Sequence, residues 1–134
     1  TKQYVDSRAI KKLADTGLPT SGTTTILSQE EADKYVVYLG YVNSSSSNSS
    51  ISAIGADNNE VYLLEVGTNR TRNNAFMLIN DVTNNLSTSI YYKFYSSIGS
   101  EATKYNSFYG TKFSGKIKTS SATSAKIVLY GFTS

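Results

Sequence analysis

A chain of 134 residues with a formal charge of +3 is sized for a single domain, at the usual ~100–200 residues per domain. It contains no His and no Cys, which excludes Ser-His-Asp and Cys-His triads, thiolate chemistry, imidazole metal sites and a disulfide scaffold. The 13 Lys and Arg against 10 Asp and Glu are spread along the chain, too dilute for the basic stripe that tracks a nucleic-acid backbone. No apolar run approaches the ~20 residues of a membrane helix, and the start at Thr1 is that expected of a fragment or processed chain. Eleven Tyr and five Phe accompany Ser, Thr and Asn, which make up about a third of the residues. Tyr and Thr suit pleated surfaces and Ser and Asn suit turns, so the composition predicts a β protein with many loops.

In chain order, Lys2 to Ala14 reads as a short helix, with Val5, Ala9 and Leu13 spaced four apart and Ile10 beside them. Gly17 and Pro19 supply its stop signal. A helix this short is marginal in water, so its apolar stripe must pack on something. Residues 1–19 are thus a helical neck and linker, and 20–134 a β domain. Thr23 to Leu27 reads as a strand, and Ser28 with Glu31 as a capping box opening a turn or two of helix. Lys34 to Val42 is apolar at both parities, as expected of a central strand. Asn43 to Ser50 is Ser and Asn only and reads as a mobile loop that adds nothing to a core. Further strands are predicted at Ser50 to Ile54, Glu60 to Val66, Ala75 to Ile79, Ser87 to Tyr95, Tyr105 to Tyr109, Lys112 to Lys118 and Lys126 to Phe132, with polar turns between them. Eight or nine short strands with no intervening helices predict an all-β fold, an antiparallel sandwich or jelly-roll-like head after a short N-terminal α-helix.

The opening Thr1-Lys2-Gln3-Tyr4-Val5-Asp6-Ser7 resembles the T-K-x-Y-V-D segment of bacteriophage tail-fibre and baseplate receptor-binding proteins. The likeness covers about seven residues. It implies the C-terminal head of such a protein, located at the tail tip of the virion, working as a homotrimer alongside other tail and baseplate proteins. That head would adhere to host cell-surface polysaccharide, with no nucleic acid and no membrane insertion. It also implies a trimer interface at Val5, Ala9 and Leu13, where three copies of the stripe bury one another; the alternative is a helix lying on its own β domain. A second reading of the whole is a structural trimerisation or tail-assembly module without ligand.

Saccharide recognition needs flat aromatic rings and planar amides or carboxylates. The loop Thr68 to Asn74 offers Arg70, Arg72, Asn73 and Asn74, whose guanidinium forks suit an anionic substituent; its plain alternative is a solvated hairpin loop. Tyr105 and Tyr109 form an aromatic second choice. Asp57 to Glu60 reads as a turn rather than a calcium loop. Glu30, Glu31, Asp33, Glu60, Glu65, Asp81 and Glu101 include no spacing that singles out a catalytic pair. The expectation is therefore adhesion without catalysis, metal or cofactor. Lys112, Lys116 and Lys118 alternate along a strand and read as a solvent face. Sequons at Asn43, Asn48, Asn69 and Asn85 are chance products of an Asn- and Ser-rich chain.

Overall fold

The computed structural model describes residues 10–45, 49–64, 72–79, 89–95, 101–107, 112–122 and 124–132, with backbone alone at 72, 89–95 and 101–107. Ten strands are described: β1 (Lys11–Leu18), β2 (Gly22–Thr25), β3 (Val37–Ser44), β4 (Ser50–Gly55), β5 (Glu60–Leu64), β6 (Arg72–Ile79), β7 (Ser89–Tyr95), β8 (Glu101–Ser107), β9 (Phe113–Ser120) and β10 (Ala125–Phe132). One turn of helix, α1 (Gln29–Ala32), interrupts them. Two sheets form, one ordered β1-β10-β3-β6-β7-β8 and one ordered β2-β9-β4-β5. Every pairing is antiparallel. The all-β reading holds, and β3 is central as its double apolar pattern predicts.

The core lies between the sheets. Strand alternation sends Tyr38 and Val42 of β3, Phe76 and Leu78 of β6, and Ile127 and Leu129 of β10 inward. They meet Ile51, Ala53, Val61, Leu63, Phe113 and Ile117 from the other sheet. The Tyr38 and Phe113 rings cross edge to face at 5.3 Å, a favoured arrangement of their quadrupoles. Gly40 is in register with Phe76, and a Cβ at Gly40 would lie 2.2 Å from that ring, so the missing side chain is the space the ring fills.

The capping box forms as read: Ser28 Oγ accepts from the Glu31 N–H at 3.1 Å. The Asp57 turn forms too, with its carboxylate accepting from the Asn59 N–H at 3.1 Å and from Asn59 Nδ2 at 2.8 Å. A bulge in β9 places Gly115 at φ +86°, where its carbonyl accepts from the Ile26 and Leu27 N–H groups at 2.9 and 3.1 Å.

Two expectations are corrected. Residues 11–14 of the predicted helix are extended in β1, which pairs along β10; Lys2 to Ala9 lie outside the described residues. As a strand, the segment satisfies the outward backbone groups of β10, a gain a lone short helix cannot match. A bulge between Lys12 and Ala14 accommodates Leu13, whose side chain packs beside Gly131 and Tyr35. Gly17 is an ordinary strand residue rather than a helix stop. The serine run is likewise not all loop. Asn43 and Ser44 end β3, Ser50 begins β4, and Ser44, Ser49 and Ser50 are buried. The Ser44 and Ser49 hydroxyls lie 2.5 Å apart, so a hydrogen bond joins them where water is excluded.

Candidate functional site

The two sheets differ in what they show to solvent. On the four-stranded sheet, Thr23, Thr25, Glu60, Lys116 and Ser120 are exposed, and one large ring, Tyr62, is exposed among them. On the six-stranded sheet the outward positions in the middle of β10, β3 and β6 are largely apolar. Register partners form rows across it: Tyr130, Leu39 and Met77 in one; Phe132, Val37 and Ile79 in a second; Val128, Tyr41 and Ala75 in a third. Leu39 is 37% and Tyr41 41% exposed, while Val37, Met77, Ile79, Val128, Tyr130 and Phe132 are half-buried against one another. The first row continues by register to positions 91 and 105 on β7 and β8, so Tyr105 stands in line with Leu39.

Polar groups border this face. At one end the Tyr41 hydroxyl donates to Asn73 Oδ1 at 2.7 Å, and Asn43 Nδ2 donates to the same oxygen. At the β1 edge, Asp15 sits 2.7 Å from Lys12 Nζ and 3.2 Å from Lys126 Nζ. Hydrogen bonds from Lys12 and then Lys126 hold the Asp15 carboxyl below its ordinary range, and the Asp15 partner raises Lys12. The border therefore sets two ammonium groups around one carboxylate and keeps a net positive charge.

Three further carboxylates are paired with lysines. Glu31 is lowered by Lys34, 3.1 Å away, and by the Tyr35 hydroxyl. Burial raises Asp33, but hydrogen bonds from Lys112 and Gln29 outweigh it and leave Asp33 lowered. Glu60 faces Lys118 at 3.2 Å. A general acid needs its proton held near neutral pH, the opposite of these shifts. Among the described residues no group of three or more carboxylates converges.

The predicted binding residues divide. Arg70 and Tyr109, like Val5 and Ala9, lie outside the described residues. Arg72 begins β6 opposite Ser44, and Tyr105 lies in β8 opposite Tyr91. Asn73 joins the polar border, but Asn74 is fully buried and its Nδ2 donates to the Leu63 carbonyl at 2.7 Å. The stretch read as a loop is therefore corrected from Arg72 onward: β6 starts there, and alternation turns Asn74 inward. Leu13, expected at a trimer seam, packs within its own domain. The sequence reading missed the outer apolar rows, although their signal was present: β3 and β10 are apolar at both parities, and among the described residues a second layer covers only one face of their sheet.

No family model matches the chain, and no curated protein matches it. Among solved structures it is similar to a plant- and prokaryote-conserved (PPC) protein from Pyrococcus horikoshii, at TM-score 0.40 and 6% identity over 95% of this chain and 82% of that one. It is also similar to a metal-containing protein from Archaeoglobus fulgidus, at 0.39 and 8% over 94% and 83%. A candidate DNA-binding protein from Ralstonia eutropha JMP134 follows at 0.36 and 8% over 97% and 85%. None of these neighbours is a phage tail fibre. The expected phage receptor-binding head is corrected on that finding, together with its saccharide partner, its tail-protein partners, its homotrimer and its exclusion of nucleic acid. The reading as a trimerisation or tail-assembly module is withdrawn with it. The structure supplies a physical reason as well, because the segment read as a trimerising helix is, over residues 11–14, a strand of the sandwich.

Proposed function

We propose that this chain is a non-catalytic interaction module that docks another protein surface on the outer face of its six-stranded sheet. The observation that carries this reading is the exposure of Leu39 and Tyr41 in the middle of continuous apolar rows, whereas on the opposite sheet the exposed Tyr62 stands beside Thr, Lys, Ser and Glu residues. Contiguous apolar patches of several hundred Å2 mark interaction surfaces far more often than scattered exposed side chains do. The large side chains and polar border match the layout of a protein interface, an apolar centre with a hydrogen-bonding rim.

A photo-crosslinking amino acid at position 39, compared with one at position 25 on the opposite sheet, tests this in cells that naturally make the protein. Discrete protein adducts are expected from position 39 alone. Absence of adducts at 39, or equal labelling from both positions, overturns the reading.

A further inference from the structure

We infer that β1 is a releasable strap. It leaves β10 as a unit, hinging at Leu18 and Pro19, and the edge it uncovers receives an extended peptide that carries a Leu followed two positions later by an acidic residue.

Burial is the first argument. β1 stands at the end of its sheet and pairs, among the described residues, along β10 alone. None of its eight residues is buried, whereas every second residue of β10 is. Leu13, Ala14 and Leu18 meet the core only at its margin. The ion pairs of Lys11 with Glu31 and of Asp15 with Lys126 join solvent-accessible groups, which hold little in water. A strand so attached opens at a far lower free energy than the strands behind it.

The hinge is the second. Directly after β1 the chain is pinned to the other sheet, where Thr119 Oγ1 donates to the Pro19 carbonyl at 2.8 Å and the Ala122 N–H donates to the Thr20 carbonyl at 2.9 Å. β2 has no buried residue either, but these bonds hold its start and the Gly115 carbonyl holds its end through Ile26 and Leu27. Opening therefore stops at Pro19, whose ring fixes its own φ.

The uncovered edge is the third. Without β1, the outward N–H and C=O groups of β10 form a template for another extended chain. Gly131 leaves a notch in that edge: the place of its missing Cβ lies 2.7 Å from Leu13 Cδ1 and 2.7 Å from Tyr35 Cδ1, so one Leu side chain fills the gap. Lys126 Nζ lies 3.2 Å from Asp15 and supplies the cation for a carboxylate two positions beyond that Leu. The segment seated there thus displays the chemistry its replacement needs.

The test is native-state hydrogen exchange of the full chain by NMR, with a fluorescein-labelled peptide of residues 10–18 as the binding probe. The ladder-bonded amides of β1 are expected to exchange together, at least about a hundredfold faster than those of β3. The peptide should bind saturably, and its Leu13→Ser and Asp15→Lys versions at least about tenfold more weakly. The chain has no Cys, so Asp15→Cys with Val128→Cys, which are register partners, forms one disulfide on oxidation. That lock should abolish both the fast exchange and the peptide binding, and reduction should restore them. If this pair fails to fold, Gly17→Cys with Lys126→Cys serves for the exchange measurement. Four results each overturn the inference: β1 protected as well as β3, protection that climbs steadily from Lys11 to Leu18 as in simple end-fraying, no peptide binding, or peptide binding indifferent to the lock.

Discussion

The side-chain amide of Asn74 in β6 donates to the Leu63 carbonyl of β5 at 2.7 Å, joining the two sheets through the interior. Asn74 is fully buried, and its Oδ1 has no hydrogen-bond partner among the described residues. The donated bond is thus what offsets the desolvation of this amide. Asn74→Ala should cost about 1–3 kcal/mol, since it leaves the Leu63 carbonyl without that donor. Asn74→Asp should cost more at pH 7, about 3–5 kcal/mol, because a carboxylate cannot donate and would be buried unpaired. Urea melts of the two variants check the order. An Asp variant as stable as the parent would show that this side chain does not span the sheets.

Gly115 and Gly22 both have positive φ, +86° and +105°, but in different surroundings. A Cβ at Gly115 would lie 2.2 Å from the Leu27 carbonyl oxygen, whereas at Gly22 it meets nothing within 4 Å. Gly115→Ala should therefore combine backbone strain with a clash against the main chain, roughly 2–4 kcal/mol in all. Gly22→Ala should cost only the strain, about 1–2 kcal/mol. Thermal melts of the pair that showed equal losses would contradict the bulge geometry.

Gly40 and Phe76 should be energetically coupled. Gly40→Ala presses a methyl group into the Phe76 ring, at an expected ~1–3 kcal/mol. In a Phe76→Leu background the ring is gone and the same methyl should be tolerated better, so the double variant should be more stable than the sum of the singles. Additive losses in a double-mutant cycle would mean that the two residues do not touch.

Stability should be flat between about pH 6 and 9 because there is no His or Cys to titrate. Asp15, Glu31 and Asp33 are all held below their ordinary values. Their contribution is present above the ordinary carboxylate range and is lost as pH falls through the folded-state values. Burial raises Tyr38, and burial followed by the Glu31 contact raises Tyr35. Their contribution is present below the ordinary 10.0 and is lost as pH rises beyond it. Urea midpoints measured across pH should trace a plateau with an acid and an alkaline shoulder. Tyr38→Phe should flatten the alkaline one, and a slope centred near neutral pH would contradict this assignment.

Local signals in the sequence determined much of this protein. Period-two patterning located β3, β4, β9 and β10 to within a few residues, Ser28 and Glu31 placed the cap, and Asp57 to Asn59 made the turn they spell. Each depends on residues close in the chain, so no distant partner was needed to read it. Tertiary structure decided the rest. Val5, Ala9 and Leu13 fit a helix stripe, yet the pairing of residues 11–18 along β10 makes that stretch a strand. Asn74 sits in a polar run, but the register of β6 against β3 turns it inward and seats it under Leu63. Leu39 and Tyr41 belong to a strand apolar on both faces, a pattern that by itself means two covering layers. Only the packing of the two sheets reveals that one layer covers the inner face and that, among the described residues, none covers the outer one, because a strand's own sequence records how apolar each face is and not what lies against it.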